Sequence, residues 1–327
     1  MTQRYSRREL LGGIGIIAAA TVGLSVATTA LGRSSVVESD GRLTVTATTG
    51  QVGDAARNVG GDRVTVNALM GAGIDPHSYT PSEGDLQRLF DARVVLYSGH
   101  HLEGRFDDVF AALTLDKPIA GIAEAIPEHL LISSDAFAAQ IDPHLWADPI
   151  IWDYTITATA DALAAADPDG ATIYRQNADA YRATVAEFAA RARTALETVP
   201  PERRVLVTAH DAFSYFGRQF GYEVVGIQGV STETEAGVND LQRIAGLIAD
   251  RQIPSMFVET SVSPATINAV QAAVRDQGFE VVIGGQLYSD ALGDEGTLEG
   301  TYLGMFRHNV QTIVTSLGGD ASAVETI

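Results

Sequence analysis

The chain has 327 residues, 46% of them apolar, which suits about two domains with buried cores and excludes a disordered or fibrous protein. Its 41 acidic residues against 22 basic ones give a formal net charge of −19, so it lacks the cations with which proteins bind nucleic acid. No cysteine is present, which excludes disulfides, thiolate metal sites, cysteine nucleophiles and a lipid anchor on cysteine.

The N-terminal segment, residues 1–41, has the pattern of an export signal. Arg7 and Arg8 precede an uncharged, mostly apolar run over residues 10–31, which is typical of twin-arginine signals that carry folded proteins across a membrane. A transmembrane anchor is the alternative, since about 20 residues span a bilayer. The many glycine, alanine and threonine residues make the run weakly hydrophobic, so we favour the signal. In both cases the working part begins near Arg42 and lies outside the cytoplasm, and an uncleaved segment would tether it.

From Arg42 onward, short β-branched runs alternate with stretches that suit helices. The candidate strands, in chain order, are 43–49, 64–69, 94–97, 205–208, 224–227, 255–258 and 279–283. Each is followed by a turn or a polar segment and then by a helical pattern, which predicts βα units with mainly parallel sheets. The fold class is therefore α/β.

A long helix is predicted in the middle of the chain, over residues 167–200. Asp167 and Pro168 provide a helix start, Pro200 and Pro201 provide an end, and apolar residues recur between them at steps of three, four and seven. At 1.5 Å per residue this helix would run about 45 Å, which exceeds the width of a small lobe. We expect it to join an N-terminal lobe, residues 42–166, to a C-terminal lobe, residues 201–327.

Two of the seven histidines occur in the same tripeptide. His77 ends Asp75-Pro76-His77 and His144 ends Asp142-Pro143-His144. Proline fixes the local backbone, and the aspartate side chain can accept a nearby hydrogen bond, so each tripeptide holds an imidazole on a rigid loop. This repetition makes both histidines candidate metal ligands.

Two further candidates follow predicted strands. His210 comes directly after the strand at 205–208, and Asp290 comes after the last strand. The carboxyl edge of strands in an open α/β sheet is where ligands bind, so these side chains would meet His77 and His144 if the two halves faced each other. An isolated histidine is more often structural, and an isolated aspartate is more often a turn or cap residue. Spacing alone does not single out Asp290, because acids are abundant here.

Taken together, these motifs resemble the solute-binding component of metal-ion ABC importers, a family that captures manganese or zinc outside the cell. The resemblance covers essentially all of the chain after residue 42. Its strongest segments are residues 75–79, 142–146, 208–217, 231–237 and 288–292. The acidic composition, with Lys117 as the single lysine, is typical of proteins kept soluble in strong salt and suggests a haloarchaeal-like member.

The resemblance implies two βα lobes joined by one long helix, with the metal ion in the cleft between them. Its ligand positions fall on His77 and His144 from the first lobe and on His210 and Asp290 from the second. It also implies a membrane ABC permease as partner, a monomeric binding protein without enzymatic activity, and Mn²⁺ or Zn²⁺ as the transported ligand.

His101 and Glu103 belong to a stretch similar to the family's His-Leu-Glu segment and are expected near the ion without binding it. Glu233 and Glu235 lie in the segment 231–237. For these two, a solvated or hydrogen-bonding loop and a role in supporting a ligand both remain open.

Two departures from the family pattern concern anchoring and the ion. Many members carry a lipid-anchoring cysteine, which this chain lacks. The zinc-specialised branch carries a long histidine-rich loop after the first ligand, whereas here Ser78 leads directly into residues 80–83 and a helix. The missing loop favours manganese slightly, although a nitrogen and oxygen site as such binds zinc more tightly. An aspartate that binds through one oxygen would suit tetrahedral zinc, and one that binds through both would suit manganese.

Two other functions could use these residues. A zinc hydrolase would hold three protein ligands, an open position for water and a general base, but four ligands are expected and no His-Glu-x-x-His pair occurs. A binding protein for an organic solute would need an aromatic-lined pocket of roughly several hundred cubic ångströms, which no motif indicates. Ion capture therefore ranks first, and it should weaken as histidines protonate below about pH 6.5.

Overall fold

The computed structural model describes residues 41–114, 117–134 and 140–326. The paired arginines and the apolar run of the expected export signal lie outside these residues. Within the described part of the chain, no helix is both long enough and apolar enough to cross a membrane. From Gly41 onward the chain forms two βα lobes joined by a long helix.

The first lobe is built on a parallel sheet with the strand order β2–β1–β3–β4. Its strands are β1 Leu43–Ala47, β2 Val64–Ala68, β3 Val94–Tyr97 and β4 Ile119–Gly121. Val45 of β1 pairs with Val66 on one side and Val94 on the other, and it is fully buried, as β-branched residues of a central parallel strand usually are. The helices of this lobe are α1 Gly50–Gly60, α2 Glu83–Asp91 and α3 Asp107–Leu113.

A helical pair follows the first sheet. A short antiparallel pair of strands, β5 Ser133–Ser134 and β6 Gln140–Ile141, leads into the loop of His144 and then into α4, Pro149–Ala166. After a 3₁₀ turn the chain enters α5, Ala171–Glu197, whose 27 residues span about 40 Å. The apolar residues predicted at helical spacing are buried along α5: Tyr174, Tyr181, Val185, Phe188, Ala192 and Leu196.

The second lobe contains two parallel strand pairs, β7–β8 and β9–β10, and β7 lies beside β9. Its strands are β7 Val205–Thr208, β8 Glu223–Gly226, β9 Ser255–Glu259 and β10 Val282–Leu287. Its helices are α6 Ser214–Phe220, α7 Val238–Arg251, α8 Ala265–Asp276 and α9 Tyr302–Ser316. As in the first lobe, the parallel strands end at one edge, where the following loops gather.

All seven predicted strands occur, but the last is displaced. β10 begins at Val282 because Phe279 N still bonds to Val274 O at 3.3 Å, which closes the end of α8. It then continues to Leu287 across a register shift near Gly285, where two glycines interrupt the alternation of apolar and polar side chains that would predict a strand. The strands β4, β5 and β6 were not predicted, because runs of two or three residues carry no readable alternation.

The floor of the cleft is a packed joint between the lobes. One apolar cluster extends from the first sheet through α5 to α9, and Trp152 of α4 stacks on Tyr302 of α9 with ring centroids 5.8 Å apart. Trp146 Nε1 donates a hydrogen bond to Ser289 O at 2.7 Å, and Tyr302 OH donates to Trp146 O at 2.9 Å. The two lobes are therefore joined beneath the site by buried aromatic side chains as well as by α5.

Candidate metal centre

Four side chains indicated by the sequence lie together at the carboxyl ends of the strands. His77, His144, His210 and Asp290 each place one ligand atom within 4.8 Å of the others. His144 and His210 are fully buried, Asp290 is 1% exposed and His77 is 7% exposed. Among the residues that the structure describes, this is the one group of three or more such side chains that could hold a metal ion.

Both first-lobe histidines are held by the aspartate of their Asp-Pro-His loop. Asp75 Oδ1 accepts a hydrogen bond from His77 N at 2.9 Å, and Asp142 Oδ1 accepts one from His144 N at 2.9 Å. Asp142 Oδ1 also lies 2.7 Å from His144 Nδ1, which we assign as the donor, so that Nε2 is left free to bind an ion. His77 Nδ1 makes no such bond within the described structure. His77 is therefore the less firmly oriented of the two.

His210 follows β7 and is held by Glu259 at the end of β9. Glu259 Oε1 accepts from His210 N at 2.9 Å, and Glu259 Oε2 accepts from His210 Nδ1 at 2.6 Å. The loop of His210 passes so close to β8 that a Cβ on Gly226 would lie 2.6 Å from Asp211 N. These contacts turn His210 Nε2 toward the other ligand atoms.

Asp290 follows β10 and completes the group. Its Oδ2 accepts a hydrogen bond from Ser261 Oγ at 2.8 Å. Its Oδ1 lies 3.3 Å from the Nε2 atoms of both His144 and His210, but it is buried and makes a hydrogen bond with neither of them or with any other described residue. A buried carboxylate oxygen without a well-formed hydrogen bond is costly, and a cation between these atoms would supply a stronger interaction than the two histidines at 3.3 Å.

The separations between ligand atoms suit a small divalent ion. His144 Nε2 lies 3.2 Å from His77 Nε2 and 3.3 Å from His210 Nε2, which are similar to the two distances to Asp290 Oδ1. Ligand atoms about 2.0–2.1 Å from a tetrahedral zinc ion would be about 3.3–3.4 Å apart. The cluster therefore has room for such an ion with little movement of its side chains.

Comparison with known proteins gives the family. The family model described as zinc-uptake complex component A, periplasmic (ZnuA), matches residues 45–316. The chain belongs to the ZnuA family. It is 45% identical to the manganese-binding lipoprotein MntA of Bacillus subtilis (strain 168), over 91% of this chain and 98% of the relative. It is 42% identical to the zinc-binding protein TroA of Treponema pallidum (strain Nichols), over 85% of this chain and 90% of the relative.

Structural similarity agrees with membership of the ZnuA family. A solved structure of the periplasmic zinc-binding protein TroA from Treponema pallidum matches with a TM-score of 0.83, covering 85% of this chain and 99% of that chain. The α/β fold with two lobes and a long helix, expected from the sequence, is confirmed. The family and its relatives are substrate-binding proteins, so this chain is not an enzyme and the hydrolase alternative has no support.

The four side chains strongly perturb one another's proton affinity. Burial lowers the pKa of His77 to about 4. Burial also acts to lower the pKa of His144, but Asp142 and Asp290 outweigh it and raise that pKa to about 9. Burial is likewise outweighed at His210, where Asp290 helps to raise the pKa well above its usual value. For Asp290, burial acts to raise the pKa, but His210 and His144 hold it well below its usual value. Without an ion, the cluster holds protons that a divalent ion must displace.

The two side chains from the His-Leu-Glu segment have different surroundings. Glu103 is buried and accepts hydrogen bonds from Thr48 Oγ1 at 2.6 Å and from Ser98 N at 2.8 Å, so it fastens the loop after β3. His101 is exposed, and its Nδ1 lies 3.1 Å from Asp107 Oδ2. Neither belongs to the group of ligand atoms.

The segment 231–237 contacts the first lobe across the mouth of the cleft. Glu233 Oε1 lies 2.9 Å from Arg105 Nη2, and Thr232 Oγ1 donates to Asp75 Oδ2 at 2.7 Å. Glu235 is exposed. The segment therefore acts as a hydrogen-bonding loop between the lobes, and it reaches a ligand only indirectly, through the aspartate that holds His77.

Sequence reasoning missed two side chains that hold members of this cluster: Glu259, which holds His210, and Ser261, which holds Asp290. Both lie at the carboxyl end of β9, the same kind of position that indicated His210 and Asp290. That position was the available signal, but nothing local to the sequence Glu259-Thr260-Ser261 distinguishes it from other acidic loops.

Proposed function

We propose that the protein captures one divalent transition-metal ion, manganese or zinc, on His77, His144, His210 and Asp290 and delivers it to an ABC importer. The observation that carries this proposal is Asp290 Oδ1, a buried oxygen without a hydrogen bond that lies among three imidazoles. A polar cluster with a purely structural role is expected to pair its buried atoms, because an unpaired one is costly.

Capture and closure are coupled in this proposal. Three neutral imidazoles and one carboxylate around a divalent ion leave one net positive charge, which the buried site can hold. Two ligands come from each lobe, so the ion links the lobes and favours the closed arrangement. A membrane permease can then distinguish the loaded protein from the empty one.

The proposal covers both manganese and zinc as the ion that the protein carries. The relatives support both, since MntA is named as manganese-binding and TroA as zinc-binding. A nitrogen and oxygen site binds zinc more tightly than manganese, so the ion carried depends on coordination geometry and on which ion is available. Elemental analysis of protein purified from its native host, without chelator or nickel, identifies the ion it carries.

Calorimetric titration of the full chain with Mn²⁺ and Zn²⁺ tests the site. His144→Ala is expected to abolish high-affinity binding, because it removes the ligand that lies nearest to the other three. His129→Ala is the matched control, since His129 is exposed and outside the cluster. Circular dichroism establishes that both variants are folded. Unchanged affinity in folded His144→Ala would refute the assignment.

We propose that the protein works outside the cytoplasm after twin-arginine export. Arg7 and Arg8 before a weakly apolar run support this route, and the family description and the relatives' names, periplasmic and lipoprotein, support the location. Without a cysteine for a lipid, an uncleaved N-terminal segment would be the tether. Changing both arginines to lysine is expected to retain the protein inside the cell, and normal export of that variant would contradict the signal.

We propose further that the protein is a monomer whose lobes, residues 42–166 and 201–327, are joined by the segment 167–200. The proposed group of four ligands is complete within one chain, which supports the monomeric state. Light scattering is expected to give the mass of one chain, 34.6 kDa, and a stable dimer would contradict it.

A further inference from the structure

The carboxyl end of β9 holds both ligands of the second lobe. Glu259, the last residue of β9, accepts hydrogen bonds from His210, and Ser261, two residues later, donates to Asp290. β9 and β10 are parallel neighbours with Glu259 opposite Leu287, so the loop after β9 runs beside the loop that carries Asp290. Ser261 is therefore placed by the sheet itself to act on the carboxylate.

The direction of the Ser261 hydroxyl is fixed by its second neighbour, Ser289. Ser289 Oγ lies 2.9 Å from Ser261 Oγ, and Ser289 is buried. A hydroxyl carries one proton, and a carboxylate that serves as a metal ligand can only accept. Ser261 therefore gives its proton to Asp290 and accepts the proton of Ser289. This chain of two hydrogen bonds fixes the plane of the carboxylate.

The two oxygens of Asp290 are consequently not equivalent. Oδ2 is engaged by Ser261 at 2.8 Å, whereas Oδ1 lies 3.3 Å from the Nε2 atoms of His144 and His210 without a hydrogen bond. To bind an ion through both oxygens, the carboxylate would have to turn Oδ2 toward the imidazoles. That rotation would break the bond to Ser261.

We propose that Ser261 is a positioning residue that restricts Asp290 to binding through one oxygen and thereby tunes the metal preference of the site. The claim rests on the ion-binding role proposed above. One oxygen and three imidazoles give a four-coordinate site, which suits zinc. Binding through both oxygens would give five ligand atoms. A given set of nitrogen and oxygen ligands binds manganese less tightly than zinc, so a site can favour manganese only through its coordination geometry. Ser261 shifts the balance toward zinc, and its loss shifts the balance toward manganese.

The test compares three variants of the full chain. Ser261→Ala removes the donor to Asp290, and Ser261→Thr keeps a hydroxyl there. Ser263→Ala is the control, because it removes an exposed hydroxyl two residues further along the same loop, outside the ion-binding cluster. Competition titrations give the ratio of zinc to manganese affinity. Ser261→Ala is expected to lower this ratio about tenfold, the scale of one hydrogen bond to a charged group. The other two variants should stay within about threefold of the unaltered protein, and a ratio for Ser261→Ala within that range would overturn the proposal.

The visible absorption of bound Co²⁺ reports the coordination number directly. Four-coordinate Co²⁺ absorbs strongly, and higher coordination numbers absorb weakly. The unaltered protein is expected to give the strong spectrum and Ser261→Ala the weaker one. A weak spectrum from the unaltered protein would overturn the proposal even if Ser261→Ala does not fold. Absence of any ion binding by the unaltered protein would overturn the proposed function as well, whereas binding with unchanged preference and spectrum would overturn only the role of Ser261.

Discussion

Replacing Glu259 by glutamine is expected to weaken metal binding about 10- to 100-fold while the protein stays folded. The buried Glu259 carboxylate accepts from His210 N at 2.9 Å and from His210 Nδ1 at 2.6 Å. Glutamine has nearly the same shape but offers one acceptor oxygen and one donor group. When its oxygen accepts from the backbone of His210, its NH₂ group faces Nδ1 and donates to it.

The substitution therefore reverses the tautomer of His210. A neutral imidazole whose Nδ1 accepts carries its proton on Nε2, the atom that lies 3.3 Å from both His144 Nε2 and Asp290 Oδ1. A protonated Nε2 cannot bind a metal ion, so binding must first move that proton. Loss of a carboxylate that orients a ligand histidine lowers metal affinity about 10- to 100-fold, or about 1.4–2.7 kcal/mol.

Calorimetric titration with Zn²⁺ at constant pH measures this loss. Glu280→Gln is the matched control, because Glu280 is an exposed glutamate that pairs with Arg275 at 3.2 Å. Its affinity should match that of the unaltered protein, since exposed ion pairs contribute little. Thermal unfolding followed by circular dichroism verifies the fold of both variants. If Glu259→Gln binds zinc within about threefold of the control, control of the tautomer by Glu259 is refuted.

Three further predictions concern pH, the mouth of the cleft and the core. Although burial opposes it, Asp142 and Asp290 raise the pKa of His144 to about 9, so a proton on His144 competes with the ion below that pH. Affinity should therefore begin to fall as pH falls from about 9 to about 7, above the onset near pH 6.5 expected for unperturbed histidines. Calorimetry in buffers of different ionisation enthalpy counts the released proton, and pH-independent binding would contradict this. Arg105→Ala removes a half-exposed ion pair with Glu233 across the mouth of the cleft. Because such pairs are weak and screened by salt, the rate of ion release should rise at most about fivefold, and less at high salt. Stopped-flow measurement of ion transfer to a chelator gives this rate. Phe188→Ala leaves a cavity in the core, so it should lower the free energy of unfolding by about 3–5 kcal/mol in denaturant titrations. The metal affinity of the folded molecules should not change. A loss below about 1 kcal/mol would show that the side chains around position 188 repack to fill the cavity.

The parts of the site that could be predicted from the sequence are those whose contacts are local. Asp75 holds His77 and Asp142 holds His144 across two residues, so the repeated tripeptide displays both interactions directly. Glu259 holds a side chain 49 residues away, a contact that exists only because β9 lies beside β7. No local pattern contains such a pairing, so this residue was missed.

The fold shows the same division between local and distant causes. The long helix was predictable because its buried face, from Tyr174 to Leu196, repeats at helical spacing within one segment. The start of β10 was not, because a hydrogen bond from Phe279 N back to Val274 O extends the end of α8 into an apolar run that reads as strand. The strands β4, β5 and β6 are defined by their neighbours and not by their own sequence.

The bond from Trp146 to Ser289 has a consequence for how an ion is taken up and released. Trp146 lies two residues after His144, and Ser289 immediately precedes Asp290, so this buried hydrogen bond of 2.7 Å joins the loops that carry one proposed ligand from each lobe. In the proposed function, this bond would keep two of the four ligands close together and so lower the entropy cost of ordering side chains around the ion. His77 makes no hydrogen bond through Nδ1 in the described structure and is the most exposed of the four, so it is the least constrained of the proposed ligands. In the proposed function, displacement of this one imidazole would therefore open the site with little disturbance of the packed joint between the lobes.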